Sequence, residues 1–188
     1  MKPLVALAVC TFSFAAAAQD LAALTADTKR TVLPVVPKVV NAMQEAVAEK
    51  GVAEAIPVCK EQAPRLIQEL KTATGWSIRR VSQKLRNPER AMPDTWEQTV
   101  LAEFEQRAAA GEKPEALEKS AIVDDGGRAT FRYMKALPVA DVCLNCHGPA
   151  DSLDPGVRAM LQATYPRDQA VGYARGQIRG ALTVKRPL

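Results

Sequence analysis

The sequence predicts an α+β domain built around an antiparallel sheet. Apolar residues recur at helical spacing in the first part of the chain, and strand-like segments mix with helices further along. Asp125-Gly126-Gly127 separates two of these strand-like segments and is typical of a β-hairpin turn. An order of helices first, followed by hairpin-linked strands, favours the α+β class.

The helical region begins after Pro34 and Pro37 and first ends at Gly51, a residue typical of helix C-termini. One face of this helix is apolar and carries Val36, Val40, Met43 and Val47. The next apolar face is interrupted by Pro57 and Pro64. Because proline lacks an N–H and crowds the preceding turn, we expect a new helix to begin near Pro57.

The remaining elements are predicted from turn and capping residues. Asp94 with Glu97 forms a capping box that starts a helix. We expect further strands and one further helix, the strands at residues 76–82, 121–124, 129–136 and 177–184 and the helix at residues 156–164.

Cys143-Leu144-Asn145-Cys146-His147 is the segment with the most specific chemistry. The C-x-x-C-H pattern is the attachment site of c-type haem. Two thiols at this spacing can form thioethers with the porphyrin vinyl groups, and the following imidazole can bind the iron. The chain contains one histidine, His147. The pattern therefore predicts one covalent haem c whose second axial ligand is not histidine.

Three other interpretations of this segment are open. A redox C-x-x-C would need a thioredoxin-like βαβ context, which the preceding residues do not provide. A zinc site could add Cys59, but Cys146 and His147 are adjacent and difficult to place on one tetrahedron. A disulfide between Cys143 and Cys146 is the third interpretation.

The first 18 residues have the composition of a secretory signal peptide. Lys2 is followed by an apolar run and by alanines suited to cleavage near Ala18. Cleavage would leave residues 19–188 as a single domain. No later segment is apolar enough to span a membrane. Export combined with attached haem c indicates a periplasmic protein.

Charge and cysteine content narrow the function classes. The formal net charge is +4 and aromatic residues make up 5% of the chain, so nucleic-acid binding has no support. Of the four cysteines, Cys10 lies in the predicted signal peptide and two belong to the motif. Cys59 is left as a single thiol. If a helix starts near Pro57, Cys59 lies in its first turn, where the helix dipole favours the thiolate.

The mature chain resembles a family of exported c-type haem domains of unassigned function with a PAS-like fold. The residues that carry the resemblance are Pro57-Val58-Cys59, Arg79-Arg80-Val81-Ser82, Arg86-Asn87-Pro88, Pro93-Asp94 with Trp96-Glu97, Cys143 to His147, and Ile178-Arg179-Gly180-Ala181. The resemblance implies a PAS-like antiparallel sheet with an N-terminal helical region and haem c near the C-terminal part. It also implies iron bound by His147 and Cys59.

The residues alone leave the second ligand open. The alternatives to Cys59 are a lysine, no protein ligand, or one of the methionines Met43, Met92, Met134 and Met160. Met92, in a loop beside Pro93, is the best of the methionines. Two arginines are predicted to contact the haem propionates. Arg80 shares a strand face with Ile78 and Ser82, and Arg86 is the second.

Three functions are compatible with these features. The first is a redox or small-ligand sensor that acts through an unidentified partner protein, with a small gas as a ligand of the ferrous haem. The alternative is a periplasmic electron-transfer cytochrome c. A sulfur-oxidation enzyme subunit is least favoured, because no paired carboxylates or second histidine mark a catalytic site.

Overall fold

The computed structural model describes residues 12–188, with side chains from Asp20 onward. The signal peptide predicted at residues 1–18, including Cys10, lies outside the residues whose side chains are described. Within the described part of the chain, no helix combines the length and the hydropathy that a membrane crossing requires.

Helices precede and flank a single antiparallel sheet in residues 12–188. The described α-helices are α1 (Phe12–Val32), α2 (Val35–Lys50), α3 (Val52–Thr74), α4 (Pro88–Ala91), α5 (Thr95–Ala109), α6 (Leu144–His147) and α7 (Pro155–Thr164). The described strands are β1 (Ser77–Val81), β2 (Glu118–Asp124), β3 (Ala129–Pro138) and β4 (Ile178–Pro187). Their order in the sheet is β1-β4-β3-β2, and all pairs are antiparallel. The α+β prediction is confirmed, and the PAS-like topology stays a prediction.

The two faces of the sheet are covered by different helices. One face packs against α1, α2 and α3 through a cluster that includes Ile78, Phe131, Tyr133 and Leu182. The other face packs against α5 around Phe104. Strand residues alternate between these faces because successive side chains point in opposite directions.

The α5 face is closed by a buried polar network. The predicted capping box is present, since Glu97 N–H donates to Asp94 over 3.0 Å and Asp94 N–H donates to Glu97 over 2.8 Å. The Glu97 carboxylate is fully buried and also accepts from Arg79, Arg132 and Thr183. Arg79 is thereby committed to this face. Arg80, the next residue of β1, points to the opposite face of the sheet, which is covered by α1, α2 and α3.

The start of α3 differs from the sequence-based expectation. The helix begins at Val52 and contains Pro57 and Pro64 in its interior. An interior proline costs roughly 3 kcal/mol. This cost is offset by packing, since Ile56 is buried against α7 and Leu66 packs on the sheet. The prediction of a new helix near Pro57 is therefore wrong.

Gly180 allows β4 to approach β1 closely. Its φ is +151°, and a Cβ atom there would lie 2.2 Å from the carbonyl oxygen of Val81. The approach occurs next to the register shift between Leu137 and Pro138 on β3. It also brings Ser82 close enough to donate a hydrogen bond to the carbonyl of Arg179 over 2.9 Å.

Gly180→Ala is expected to destabilise the fold, because it combines an unfavourable φ with a backbone clash. The matched control is Gly176→Ala, where φ is +82° but no atom lies within 4 Å of the added Cβ. Gly180→Ala should lower the free energy of unfolding by about 1–3 kcal/mol more than the control. Urea unfolding measures both, and equal losses would contradict this account of the close approach.

Candidate functional site

The C-x-x-C-H segment folds as a tight turn followed by one short helical turn. Asp141–Cys143 is a 3₁₀ turn and α6 spans Leu144–His147. Gly148 ends the segment, and a Cβ atom there would lie 2.7 Å from the carbonyl oxygen of Leu144. The absence of a side chain at this position lets the chain turn immediately after His147.

His147 is held by the segment that follows α7. Its Nδ1 lies 2.6 Å from the carbonyl oxygen of Ala170, which fixes the proton on Nδ1 and leaves the lone pair on Nε2. Its carbonyl accepts from Tyr173 N–H over 2.9 Å, and the Tyr173 ring stands edge-on at 6.2 Å between centroids. Desolvation, reinforced by the charges of Arg86 and Arg179, lowers the pKa of His147 to about 2. The imidazole is therefore neutral at physiological pH and able to bind a metal.

Cys143 and Cys146 are free thiols that pack against different clusters. Cys143 contacts the cluster around Val139 and Tyr173, and Cys146 contacts the cluster around Ile56. No disulfide joins them in the structure. Among the described residues, no group of three or more Cys, His, Asp or Glu side chains converges on one point.

Cys59 lies inside α3, in its first half, and near Cys146 of the motif. It is seven residues beyond Val52, about two turns inside the helix. The first-turn position and its dipole argument for a thiolate are therefore wrong. Instead, desolvation raises the pKa of the Cys59 thiol. Cys59 is close enough to Cys146 and Tyr165 that its charge would raise the pKa values of both.

Arg80 faces the motif side of the sheet, as its strand alternation predicted. Its neighbour Ile78 on the same face is buried, whereas Arg79 turns to the α5 side. Part of the Arg80 residue is exposed to solvent, and protein atoms surround much of its side chain. Desolvation and the charge of Arg86 lower its pKa, and Cys143 is among the groups that act on it. No ion pair or side-chain hydrogen bond of Arg80 occurs within the described residues.

The side chain of Arg86 contacts the backbone of the motif. Its Nη2 donates to the carbonyl of Cys146 over 2.6 Å, and its Nε donates to Asp168 over 3.0 Å. The side chain is 15% exposed. Its Nη1 makes no hydrogen bond to the described residues, so only this edge is free to contact another group.

Arg179 is a site residue that the sequence analysis did not select. It is 5% exposed, and its Nε lies 3.1 Å and 3.4 Å from the two ring nitrogens of His147. Its Nη1 donates to Ser82 Oγ over 2.6 Å and to the carbonyl of Lys84 over 3.1 Å. Desolvation, followed by the charge of Arg80, lowers its pKa to about 9. The sequence feature that could have indicated Arg179 is its position as an arginine among the apolar residues at the start of β4.

The methionines occupy different parts of the fold. Met134 is fully buried against α5, and Met92 is exposed, with its carbonyl accepting from Arg79. Met160 packs in the same cluster as Cys146.

A cleft of about 670 Å³ lies beside the motif. It is bordered by the α2–α3 junction, the start of α7, and Leu144 and Asn145 of the motif. Neither His147 nor Cys59 lines it. The cleft therefore exposes the residues between the two cysteines without containing the candidate ligands.

Fold and site together define an α+β domain in which a C-x-x-C-H segment is held between a proline-containing helix and a loop after α7. The model of the Tll0287-like family matches residues 13–187, and the chain belongs to this family. Its fold is similar to that in the crystal structure of the cyanobacterial heme-protein Tll0287, with a TM-score of 0.64 and 23% identity. That similarity covers 86% of this chain and 95% of the other. Among curated proteins, none matches the sequence.

Proposed function

We propose that the chain is an exported protein that binds one haem c covalently. Cys143 and Cys146 would form the thioethers, and His147 would bind the iron. The observation that carries the proposal is the neutral imidazole of His147, whose Nδ1–H is held by Ala170 beside two free thiols. The heme-protein described for the similar fold adds support.

The charges around the motif fit a group with two carboxylates. Arg80, Arg86 and Arg179 lie close enough for each to affect the pKa of another, and Asp168 forms an ion pair with Arg86 alone. An anionic group would offset the remaining positive charge. We propose that the two haem propionates do so, with Arg80 as the first partner and Nη1 of Arg86 as the second.

Cys59 is the proposed second axial ligand. Its position beside Cys146 and Tyr165 supports this assignment. Burial raises the pKa of the thiol, so a thiolate at this position needs a nearby positive charge such as a metal ion. The lone thiol in an exported chain would then have a ligand role instead of a packing role.

The local structure of α3 favours a sensor over a closed carrier. Pro57 and Pro64 flank Cys59, and each removes one backbone hydrogen bond from the helix. Beyond Pro64, residues such as Leu66 pack on the sheet. A small movement of Cys59 would therefore be transmitted through a weakened part of α3 to the core.

When bound, haem would supply a one-electron redox couple and an iron that takes up a small ligand once an axial position is free. We propose a periplasmic redox or small-gas sensor with a PAS-like fold that acts through a partner protein. The second candidate is an electron-transfer cytochrome, which the position of Met160 beside Cys146 would favour. A sulfur-oxidation enzyme ranks last.

Covalent attachment is expected to need both motif cysteines. Protein expressed with a haem c maturation system should keep its haem after denaturation and extraction with acidified solvent. Cys143→Ser and Cys146→Ser should each lose one thioether, and the double variant should release all haem. In-gel peroxidase staining measures the retained haem. Retention by the double variant, or free release from the unmodified chain, would overturn the proposal.

Cys59→Ala is expected to remove the thiolate signature of the ferric protein while the haem stays attached, because the sulfur ligand is lost. Electron paramagnetic resonance detects the change. Met160→Leu is the matched control, since it replaces the other sulfur near Cys146, and it should leave the spectrum unchanged. The opposite pattern would assign Met160 as the ligand and favour the electron carrier.

Arg80→Gln is expected to lower the unfolding free energy of the haem-loaded protein by about 0–1 kcal/mol, the value of a partly solvated ion pair. Arg80→Lys keeps the charge and should retain most of the stability. Urea unfolding compares the variants with and without haem. A loss of equal size in haem-free protein would mean that Arg80 stabilises the fold and not the propionates.

A further inference from the structure

We infer that Arg86 and Asp168 are positioning residues for His147, because together they hold the carbonyl group that accepts its Nδ1–H. The inference rests on the proposed function in one respect, namely that His147 is an iron ligand. Arg86 would then act on the imidazole as well as on a propionate, and Asp168 would act on the imidazole through Ala170.

The contacts form a closed set around Ala170. Asp168 accepts from Arg86 Nε over 3.0 Å and from Ala170 N–H over 2.8 Å. Arg86 Nη2 reaches the carbonyl of Cys146 at 2.6 Å and that of Ala170 at 3.4 Å. His147 Nδ1 lies 2.6 Å from the same Ala170 oxygen. One ion pair thus contacts the motif and also holds the residue to which the motif histidine is bonded.

The segment that carries Ala170 is held by contacts with its neighbours and not by regular secondary structure. No helix or strand occurs between Thr164 and Ile178 in the described structure. Gln169 N–H donates to the carbonyl of Leu85 over 2.8 Å, in the loop that contains Arg86. Gly172 N–H and Tyr173 N–H donate to the carbonyls of Gly148 and His147 over 2.8 Å and 2.9 Å. At Ala170 itself, the side-chain hydrogen bonds other than that of His147 come from Arg86 and Asp168. The Arg86 and Asp168 side chains are only 15% and 10% exposed. Such a shielded pair is costly to break from one side.

The chemical consequence concerns the donor strength of the imidazole. A carbonyl that accepts Nδ1–H fixes the tautomer of a ligating histidine and makes Nε2 more basic. A stronger donor stabilises ferric iron and lowers the reduction potential. If the Ala170 carbonyl loses its support, the hydrogen bond weakens and the potential rises.

Two variants separate positioning from simple charge. Asp168→Asn removes a negative charge and Arg86→Gln removes a positive charge, so a purely electrostatic effect moves the reduction potential in opposite directions. Positioning predicts that both variants raise the potential. Arg86→Lys keeps the positive charge and is the substitute variant if Arg86→Gln folds poorly. Its reduction potential should lie between those of the unmodified protein and Arg86→Gln. Asp141→Asn and Arg175→Gln are matched controls from an exposed ion pair next to the motif, and they should change the potential little.

A direct readout is the exchange of the His147 Nδ1 proton with D₂O, measured by NMR on the reduced protein. The chain has one histidine, so the ring signals are unambiguous. Both variants should exchange this proton about three- to tenfold faster, as expected for loss of one hydrogen bond. Unchanged exchange in both variants, or potentials that shift in opposite directions, would overturn the inference.

Failure of the proposed function is distinguishable from failure of this inference. If the chain carries no haem, the proposed function fails, and the exchange of the Nδ1 proton is then measured on the haem-free full chain. Faster exchange in the two variants would still assign the positioning role. If haem is attached and the two variants exchange the Nδ1 proton as slowly as the unmodified protein, the positioning role is rejected and the proposed function stands.

Discussion

The hydrogen bond from Nδ1 of His147 to the carbonyl of Ala170 is the contact on which the site depends. It sets the tautomer, and with it the nitrogen that is available to a metal. Desolvation keeps the ring neutral by lowering its pKa to about 2. The acceptor lies in a loop, and the ion pair between Arg86 and Asp168 contacts both its N–H and its carbonyl. The motif supplies the chemistry, and the loop after α7 supplies the orientation.

The second constraint is the placement of α3 across the site and the sheet. Its first half packs against α7 through Ile56, and its second half packs on the sheet. Pro57 and Pro64 weaken the backbone ladder on either side of Cys59 without ending the helix. Long-range packing thus keeps a helix intact where local propensity opposes it. The result is a half-buried thiol on a segment that is weaker than an uninterrupted helix.

Local patterns predicted much of the fold, because the responsible interactions are short-range. The capping box at Asp94, the hairpin turn at Asp125-Gly126-Gly127 and the helix after Pro155 all appear as expected. The alternation on β1 correctly separated Arg79 from Arg80. The failure at Pro57 arose because the packing partners of α3 are far away in sequence. Arg179, Asp168 and Ala170 were missed for the same reason, since only the folded chain brings them to His147. The roles of Cys59, Arg80 and Arg86 toward haem stay predictions.

Attachment of haem to Cys143 and Cys146 is measured by mass spectrometry of one peptide. Trypsin cleaves after Lys135 and Arg158, so the peptide of residues 136–158 contains the whole C-x-x-C-H segment. We expect this peptide from the mature protein to carry the added mass of one haem and to absorb visible light. A peptide with the unmodified mass, from protein matured in a host that attaches haem c, would contradict the account.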